Sequence, residues 1–424
     1  MDRFNIREEF LFYKNCIEND LLPFWNRYLD HKYGGIYTCI SNDGKELINT
    51  DKYIWSQGRF LWVLSKSADL VKKGILNGDS DSYLEFANKT YRFVKEKAFL
   101  ENGGCAYLVA ENGEKKETLP GKGYHTSLYV DGFVSAGFAE YARVSGNLEA
   151  LEDSLELFDY IESIIASGSI PSEPFPTPEG YVTHSITMIM TNVSYVLAIA
   201  LEELKHPRYK EVLDKSVAYA KQVLTRFCRE DFSIREFVNL EHAENDTLLE
   251  RHTLPGHGME CMWFVIFVAL KIQDYEMIEK ASKIVAKSFE LGWDEEFGGL
   301  LRYVDKDGGK PRGRELGEQY ELLIKNTWDN KLWWPHSETL FTTLLCYLLT
   351  KDNKFLASYK KVREYILKVF PNPDKSVGEW IQILDRQGKP EEKLVALPVK
   401  DPYHILRNMQ LLAELLNKED KFRE

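Results

Sequence analysis

The chain has 424 residues, 44% of them apolar and 13% aromatic, and a net charge of −12. That acidity, with lysines and arginines scattered rather than clustered, argues against a nucleic-acid partner. Six cysteines with no CxxC pair argue against a thiolate zinc site or a dense disulfide framework.

The N-terminus, MDRFNIREEF, is charged and has no apolar signal core. The longest apolar run, 262–270, is too short to span a bilayer. The expectation is a cytoplasmic protein with no membrane association.

Periodicity and Gly/Pro breaks predict twelve helices, roughly over 4–29, 53–73, 80–97, 124–145, 147–168, 187–203, 207–228, 257–272, 274–290, 336–350, 354–370 and 402–417. Strand-like material recurs in one pattern. Tyr33-Gly34-Gly35-Ile36, Asn102-Gly103-Gly104-Cys105, Phe297-Gly298-Gly299-Leu300 and Gly378-Glu379-Trp380 each run on to a second glycine-containing turn, at Asp43-Gly44, Asn112-Gly113, Asp307-Gly308 and Gln387-Gly388. Each reads as a short β-hairpin. Every second helix starts about 70 residues after the one before, the mark of a repeated helix pair. The expected fold is all-α, one toroid of six helical hairpins with an inner and an outer ring, in a single domain over 1–424. The inner helices should be the more apolar, and 129–139, 186–200, 262–270 and 340–349 fit that place.

Uncommon residues gather where the proposed inner helices begin. The second helix carries Trp55-Ser56-Gln57-Gly58-Arg59, and the fourth opens with Tyr124-His125. His184 precedes the sixth, which contains Asn192. The eighth carries His257 and Glu260, three residues apart and so on one side of its first turn. The tenth reads Trp333-Trp334-Pro335-His336-Ser337-Glu338, and the twelfth begins Asp401-Pro402-Tyr403-His404 and continues to Arg407. With the inner helices parallel, these residues converge at one end of the barrel, as a small-molecule pocket with aromatic walls requires. His336, after Pro335, reads as a capping or orienting residue. Glu338 reads as an ion-pair partner, with Arg59 one candidate for the pair. His31, His206 and His242 lie in polar, loop-like settings and read as solvated.

His257 is followed by Gly-Met-Glu-Cys, so the helical HExxH zinc motif is absent, and no GxxxxGK[ST] or GxGxxG signals a phosphate-cradling loop. His257, Glu260 and His404 offer a metal set, but acid–base chemistry is the stronger reading. No metal is expected.

Nearly the whole chain resembles the N-acylglucosamine 2-epimerase family, from Trp55-Ser56-Gln57-Gly58-Arg59 to Tyr403-His404-Ile405-Leu406-Arg407. The most specific pieces are Pro255-Gly256-His257-Gly258-Met259-Glu260 and Trp333-Trp334-Pro335-His336-Ser337-Glu338. The resemblance implies an (α/α)6 barrel and 2-epimerisation or aldose–ketose isomerisation of a sugar. It implies that His257 and His404 are paired acid/base groups. It makes Arg59, Glu260 and Glu338 supporting residues, and adds His184, Asn192, Trp334, His336 and Tyr124 as pocket candidates. The Trp-Trp-Pro-His-Ser-Glu stretch and Asn192 are more similar to the N-acyl branch than to the disaccharide branch. The segment from Glu173-Pro174-Phe175-Pro176 to His184 departs from the N-acyl pattern. Within the family ATP is an activator for some members and a homodimer is usual. No cofactor is expected to be required here, and no nucleotide motif is present.

The chemistry is coherent with those residues. A proton on carbon 2 of an open-chain aldose is weakly acidic, and its removal needs a positioned base near neutral pKa. Arg59 or a protonated histidine would stabilise the enediolate, and Glu260 would hold one histidine in its working tautomer. Inversion needs a proton on the opposite face, hence two histidines from different helices. The leading reading is therefore a sugar 2-epimerase, with N-acetyl-D-glucosamine and N-acetyl-D-mannosamine the first pair to try. The rivals are a mannose-type aldose–ketose isomerase, an (α/α)6 glycoside hydrolase using two of Glu236, Glu260 and Glu338, and a non-catalytic sugar-binding protein.

Overall fold

The computed structural model describes residues 4–240, 246–392 and 398–421. Among them the helices, in chain order, are α1 (Ile6–Asn15), α2 (Leu22–Asn26), α3 (Ile54–Lys72), α4 (Ser80–Lys97), α5 (Leu128–Ser145), α6 (Leu148–Ser167), α7 (His184–Glu203), α8 (Tyr209–Gln222), α9 (Leu248–Arg251), α10 (Pro255–Ile272), α11 (Tyr275–Gly292), α12 (Gln319–Thr327), α13 (Trp333–Thr350), α14 (Asn353–Val369) and α15 (His404–Lys421). A π-helical stretch, Cys16–Leu21, joins α1 to α2, and a second, Val223–Phe227, extends α8.

Six helices form a closed inner ring. α3 packs on α5, α5 on α7, α7 on α10, α10 on α13, α13 on α15, and α15 returns to α3. This is the expected (α/α)6 barrel. The inner helices are buried on nearly every side, whereas outer helices such as α4, α11 and α14 bury one stripe. α7 is long and apolar enough to cross a bilayer by composition, yet most of it is buried as barrel wall. The tightest crossing is α3 on α5. A Cβ on Gly58 would lie 2.6 Å from the carbonyl oxygen of Phe133, and one on Gly137 would strike the backbone of Gly58. Only glycine lets these two helices approach so closely.

Most outer helices start from a side-chain cap and most inner ones do not; α7, capped by Thr183, and α8, uncapped, are the exceptions. Side chains of Asp79, Asn147, Asp274 and Asp352 cap the outer helices α4, α6, α11 and α14. The inner helices α3, α10 and α13 have no side-chain cap and grow directly out of two-residue strands, 52–53, 252–253 and 331–332. A three-residue strand, 181–183, precedes α7 in the same way. Each strand pairs antiparallel with the loop beyond the following outer helix: Lys52 with Val109, Val182 with Val238, Thr253 with Val304 and Leu332 with Ile383. These ladders hold the first turns of the inner helices at one end of the barrel.

The paired glycines behave partly as expected. They close tight turns at the ends of outer segments, through single bridges between Leu29 and Ile36, Phe99 and Cys105, Trp293 and Leu300, and Pro371 and Trp380. The Asn112-Gly113 hairpin forms, with Leu108 opposite Lys116 and Val109 opposite Lys115. Single antiparallel bridges, Ile40 to Leu47 and Leu384 to Pro390, close the turns at Asp43-Gly44 and Gln387-Gly388. The segments carrying Val109, Val304 and Ile383 also pair with the strands before inner helices. Gly299 sits at φ +76°, a conformation glycine adopts freely, and its following N–H, on Leu300, is capped by His336.

Several boundaries move. The first predicted helix is broken by the π-helical stretch. α5 begins at Leu128 rather than near 124, and α7 begins at His184 itself. α9 and α12 have no counterpart in the predicted set, because each is a short helix inside a long loop, with a capping box and too few residues to show a period. His31 is exposed, and His206 is half-buried with Nε2 3.3 Å from Glu152. His242 lies outside the described residues.

Candidate active site

A cavity of about 260 Å³ opens where the inner helices begin. Helical spacing builds its wall. Trp55 and Arg59 on α3, Tyr129 and Phe133 on α5, and Ser185 and Ile189 on α7 are pairs four residues apart, so each pair stacks on one face of its helix and lines the cavity. Glu260 on α10 and Trp334 on α13 complete the ring.

His257 and His404 both line this cavity. Their imidazole centroids lie 5.4 and 5.8 Å from the indole of Trp334. The two rings are therefore no further apart than the sum of these distances. Each is anchored from behind by a buried carboxylate. His257 Nδ1 donates to Glu236 Oε2 at 2.8 Å, and His404 Nδ1 donates to Glu338 Oε1 at 2.7 Å. With Nδ1 engaged, Nε2 is the nitrogen left to act as base or acid.

Electrostatics differ between the two pairs. Burial alone would raise Glu236, but the imidazoles of His257 and His184 hold it well below the carboxylate range. Burial disfavours a charged His257; the Glu236 carboxylate outweighs that and raises its pKa above the usual imidazole value. Burial also opposes ionised Glu338, and the Arg407 guanidinium overcomes it, lowering the carboxyl to about 2. Arg407 Nη2 donates to Glu338 at 2.5 Å and to Glu260 at 2.6 Å, and Trp263 Nε1 donates to Glu338 at 2.7 Å.

Arg59 is a half-buried cation in the cavity wall. Its guanidinium lies 3.9 Å from the Phe133 ring and 4.8 Å from Trp55, and its nearest carboxylate is Asp401, at 3.7 Å. Its Nε is buried without a hydrogen-bond partner. Such a group is held by π faces and stays available to an oxygen of a bound molecule.

The predicted site residues divide into three sets. His257, His404, Arg59, Glu260 and Trp334 meet at the cavity. Glu338 stands directly behind His404, fully buried, and pairs with Arg407 and His404 rather than with Arg59. Glu260 holds Arg407 and lies 3.7 Å from His404 Nδ1, so the tautomer-setting role expected of it belongs to Glu236 and Glu338. His184 supports from behind. It is fully buried, with Nδ1 3.7 Å from Glu236, and does not line the cavity.

His336 has the orienting role read from its place after Pro335 rather than a place in the pocket, and two further pocket candidates, Tyr124 and Asn192, lie outside the cavity. His336 Nδ1 donates to the Leu332 carbonyl at 2.6 Å, and Nε2 accepts from the Leu300 N–H at 2.9 Å. Burial pushes its pKa down to about 3. It is a neutral structural residue, stacked on Tyr365. Tyr124 precedes α5, is 40% exposed and lies outside the cavity; Tyr129 takes the place expected of it. Asn192 is buried on α7 about 12 Å along the axis from His184 and is not a lining residue. His125 bonds Asp131 at 2.6 Å, also away from the cavity.

Sequence reading passed over the supporting role of Glu236, and Arg302 and Tyr320, which also line the cavity. Glu236 lies in the Phe237 strand segment 21 residues before His257, and no spacing rule links the two. Arg407 was detectable, three residues after His404 and so on the same helical face.

A six-hairpin toroid with this cavity at the mouth of its inner helices defines an (α/α)6-barrel enzyme. The model for the family "N-acylglucosamine 2-epimerase (GlcNAc 2-epimerase)" matches residues 35–408. The N-acylglucosamine 2-epimerase of Mus musculus is 27% identical over 431 residues, 97% of this chain and 93% of that protein. The cellobiose 2-epimerase of Dictyoglomus turgidum is 24% identical over 396 residues, 92% of this chain and 94% of that protein. The fold superposes on the solved cellobiose 2-epimerase from Bacillus thermoamylovorans with a TM-score of 0.77 at 20% identity, covering 96% of this chain and all of that one. The chain belongs to the N-acylglucosamine 2-epimerase family. It is a carbohydrate isomerase, a sugar 2-epimerase.

Proposed function

We propose that the chain interconverts N-acetyl-D-glucosamine and N-acetyl-D-mannosamine, with His257 and His404 as its two acid/base groups. The observation that carries this reading is the pair of carboxylate-anchored imidazoles, His257 on Glu236 and His404 on Glu338, both within 6 Å of Trp334 in one cavity. One imidazole removes the carbon-2 proton of the open-chain sugar. The electron pair moves onto the carbonyl oxygen, and Arg59 stabilises the resulting enolate. The other imidazole, protonated, returns a proton to the opposite face of carbon 2 while the carbonyl re-forms. Trp55 and Trp334 supply the apolar walls.

A glycoside hydrolase needs one carboxyl kept protonated near neutral pH. Glu236 and Glu338 are both held low, and Arg407 bridges Glu338 to Glu260. These features favour epimerisation over hydrolysis. The reaction as written consumes no cofactor and needs no metal; ATP has no place in the chemical step and would act only as an activator. The working assignment is a cytoplasmic catalytic unit over 1–424, free of nucleic acid and membrane, assembling as a homodimer.

The test is incubation with N-acetyl-D-glucosamine in D2O, followed by proton NMR at carbon 2. Solvent deuterium should enter carbon 2 and N-acetyl-D-mannosamine should appear. A ketose formed from D-mannose in a parallel incubation would instead establish the aldose–ketose isomerase, and neither exchange nor product from N-acetyl-D-glucosamine would refute the substrate assignment.

A further inference from the structure

Behind His257 lies a group of side chains that the acid–base scheme leaves only partly satisfied. His184 is fully buried, and neither ring nitrogen has a hydrogen-bond partner. Glu236 Oε1 is likewise buried and unpartnered, although Oε2 accepts from His257. Unmade hydrogen bonds on buried polar atoms cost about 1–3 kcal/mol each, so three of them in one place point to a missing partner.

The geometry of the three residues fits a metal ion. One nitrogen each from His184 and His257 and one carboxylate oxygen from Glu236 lie within 4.8 Å of one another. Two of the separations are 2.8 Å (His257 Nδ1 to Glu236 Oε2) and 3.7 Å (His184 Nδ1 to Glu236 Oε2). Tetrahedral zinc with bonds of about 2.0–2.1 Å places its ligand atoms roughly 3.3 Å apart. Small side-chain adjustments therefore bring the triad to ligand spacing. A two-imidazole, one-carboxylate set suits zinc and does not suit magnesium or calcium, which prefer all-oxygen shells. Glu236 and His257 border the cavity, and His184 lies behind them.

A second group, Glu260, Glu338 and His404, meets the same distance criterion. There the buried Arg407 guanidinium already bonds both carboxylates and would repel a dication. The first cluster has two imidazoles and one carboxylate, the second one imidazole and two carboxylates already held by a guanidinium.

We infer that His184, Glu236 and His257 form an inhibitory zinc site. Its consequence follows from imidazole chemistry. Zinc takes the Nδ1 lone pair of His257, and the ring's one remaining proton then sits on Nε2. An imidazolium releases its other proton to solvent on binding. With Nε2 protonated and Nδ1 metallated, His257 has no lone pair for a carbon-bound proton. Metal occupancy and base catalysis at His257 exclude each other. Zinc binding is independent of the proposed reaction; only the inhibition rests on it.

The test uses the full chain, freed of metal and dialysed to equilibrium against Zn2+, with Mg2+ in a parallel arm. The expected result is one zinc per chain and no magnesium. His184→Phe keeps a ring in the space beside Phe227 and removes both nitrogens; it should weaken zinc binding by about 10-fold or more. Glu236→Gln should do the same, and His404→Ala should bind zinc as the wild type does. Zinc should raise the thermal unfolding midpoint of the wild type, and a cooperative transition in each variant shows that it is folded. No zinc bound to the wild type, or equal affinity in folded His184→Phe, overturns the site. In the active enzyme, zinc should halt carbon-2 exchange and a chelator should restore it. Exchange unchanged at full occupancy overturns the inhibitory role while leaving the site.

Discussion

His257 Nδ1 lies 2.8 Å from Glu236 Oε2, a carboxylate delivered by the strand segment that pairs with the entry to α7. The carboxylate raises the basicity of the ring and fixes which nitrogen meets the substrate. Glu236→Gln keeps the shape and removes the charge. The His257 pKa should fall, because the main influence opposing its desolvation is gone. The acid limb of the kcat/KM profile should move to lower pH while the plateau rate drops. A profile whose acid limb stays in place would separate Glu236 from the titration of His257.

His257→Ala and His404→Ala should each lower turnover by about 10²-fold or more, the contribution expected of a positioned general acid or base. Single-turnover exchange in D2O gives a finer reading. With one imidazole gone, the remaining one can wash deuterium into the sugar it still deprotonates without inverting carbon 2. Near-normal epimerisation in either variant would remove that histidine from the mechanism.

Arg407 holds two buried carboxylates together and is only 1% exposed. Arg407→Met leaves Glu260 and Glu338 without their cation. Breaking a buried pair in this way costs about 3–5 kcal/mol. Chemical denaturation should show the loss directly. Glu338 is held low by Arg407, so its contribution to stability is present above the ordinary carboxylate pKa and disappears as pH falls from there toward about 2. The variant should lose stability chiefly at neutral pH and differ less from the wild type in acid.

Gly58→Ala places a methyl group 2.6 Å from the Phe133 carbonyl oxygen. Backbone cannot swing aside as a long side chain can. The substitution should cost about 1–3 kcal/mol by overpacking. It should also reduce kcat/KM, since Arg59 follows it on the same helix and Phe133 carries the face on which Arg59 rests. Unchanged unfolding would mean that α3 and α5 separate without resistance.

Much of the architecture is legible in the chain itself. The twelve barrel helices follow from apolar periodicity, and their repeat near 70 residues predicts paired rings, because a helix pair buries its apolar faces only against neighbouring pairs. His257, His404 and Trp334 are also visible, as unusual residues at the mouths of very apolar helices. His336 shows the limit. It lies two residues from Trp334, so the helix turns it to another face, into the glycine turn at Leu300 instead of the cavity. A residue string carries both as one motif; only the helix rotation assigns one to the cavity and one to the scaffold.

What the sequence by itself determined is the period, the burial pattern and which helix mouths carry chemistry, since these depend on local spacing. Tertiary structure alone decided that Glu236 anchors His257, that Glu338 and Arg407 stand behind His404, and that Arg59 rests on Phe133 instead of pairing with Glu338. Those partners come from separate hairpins of the toroid. Their distances are set by how the closed ring brings six helix mouths to one end, and no spacing along the chain encodes that closure.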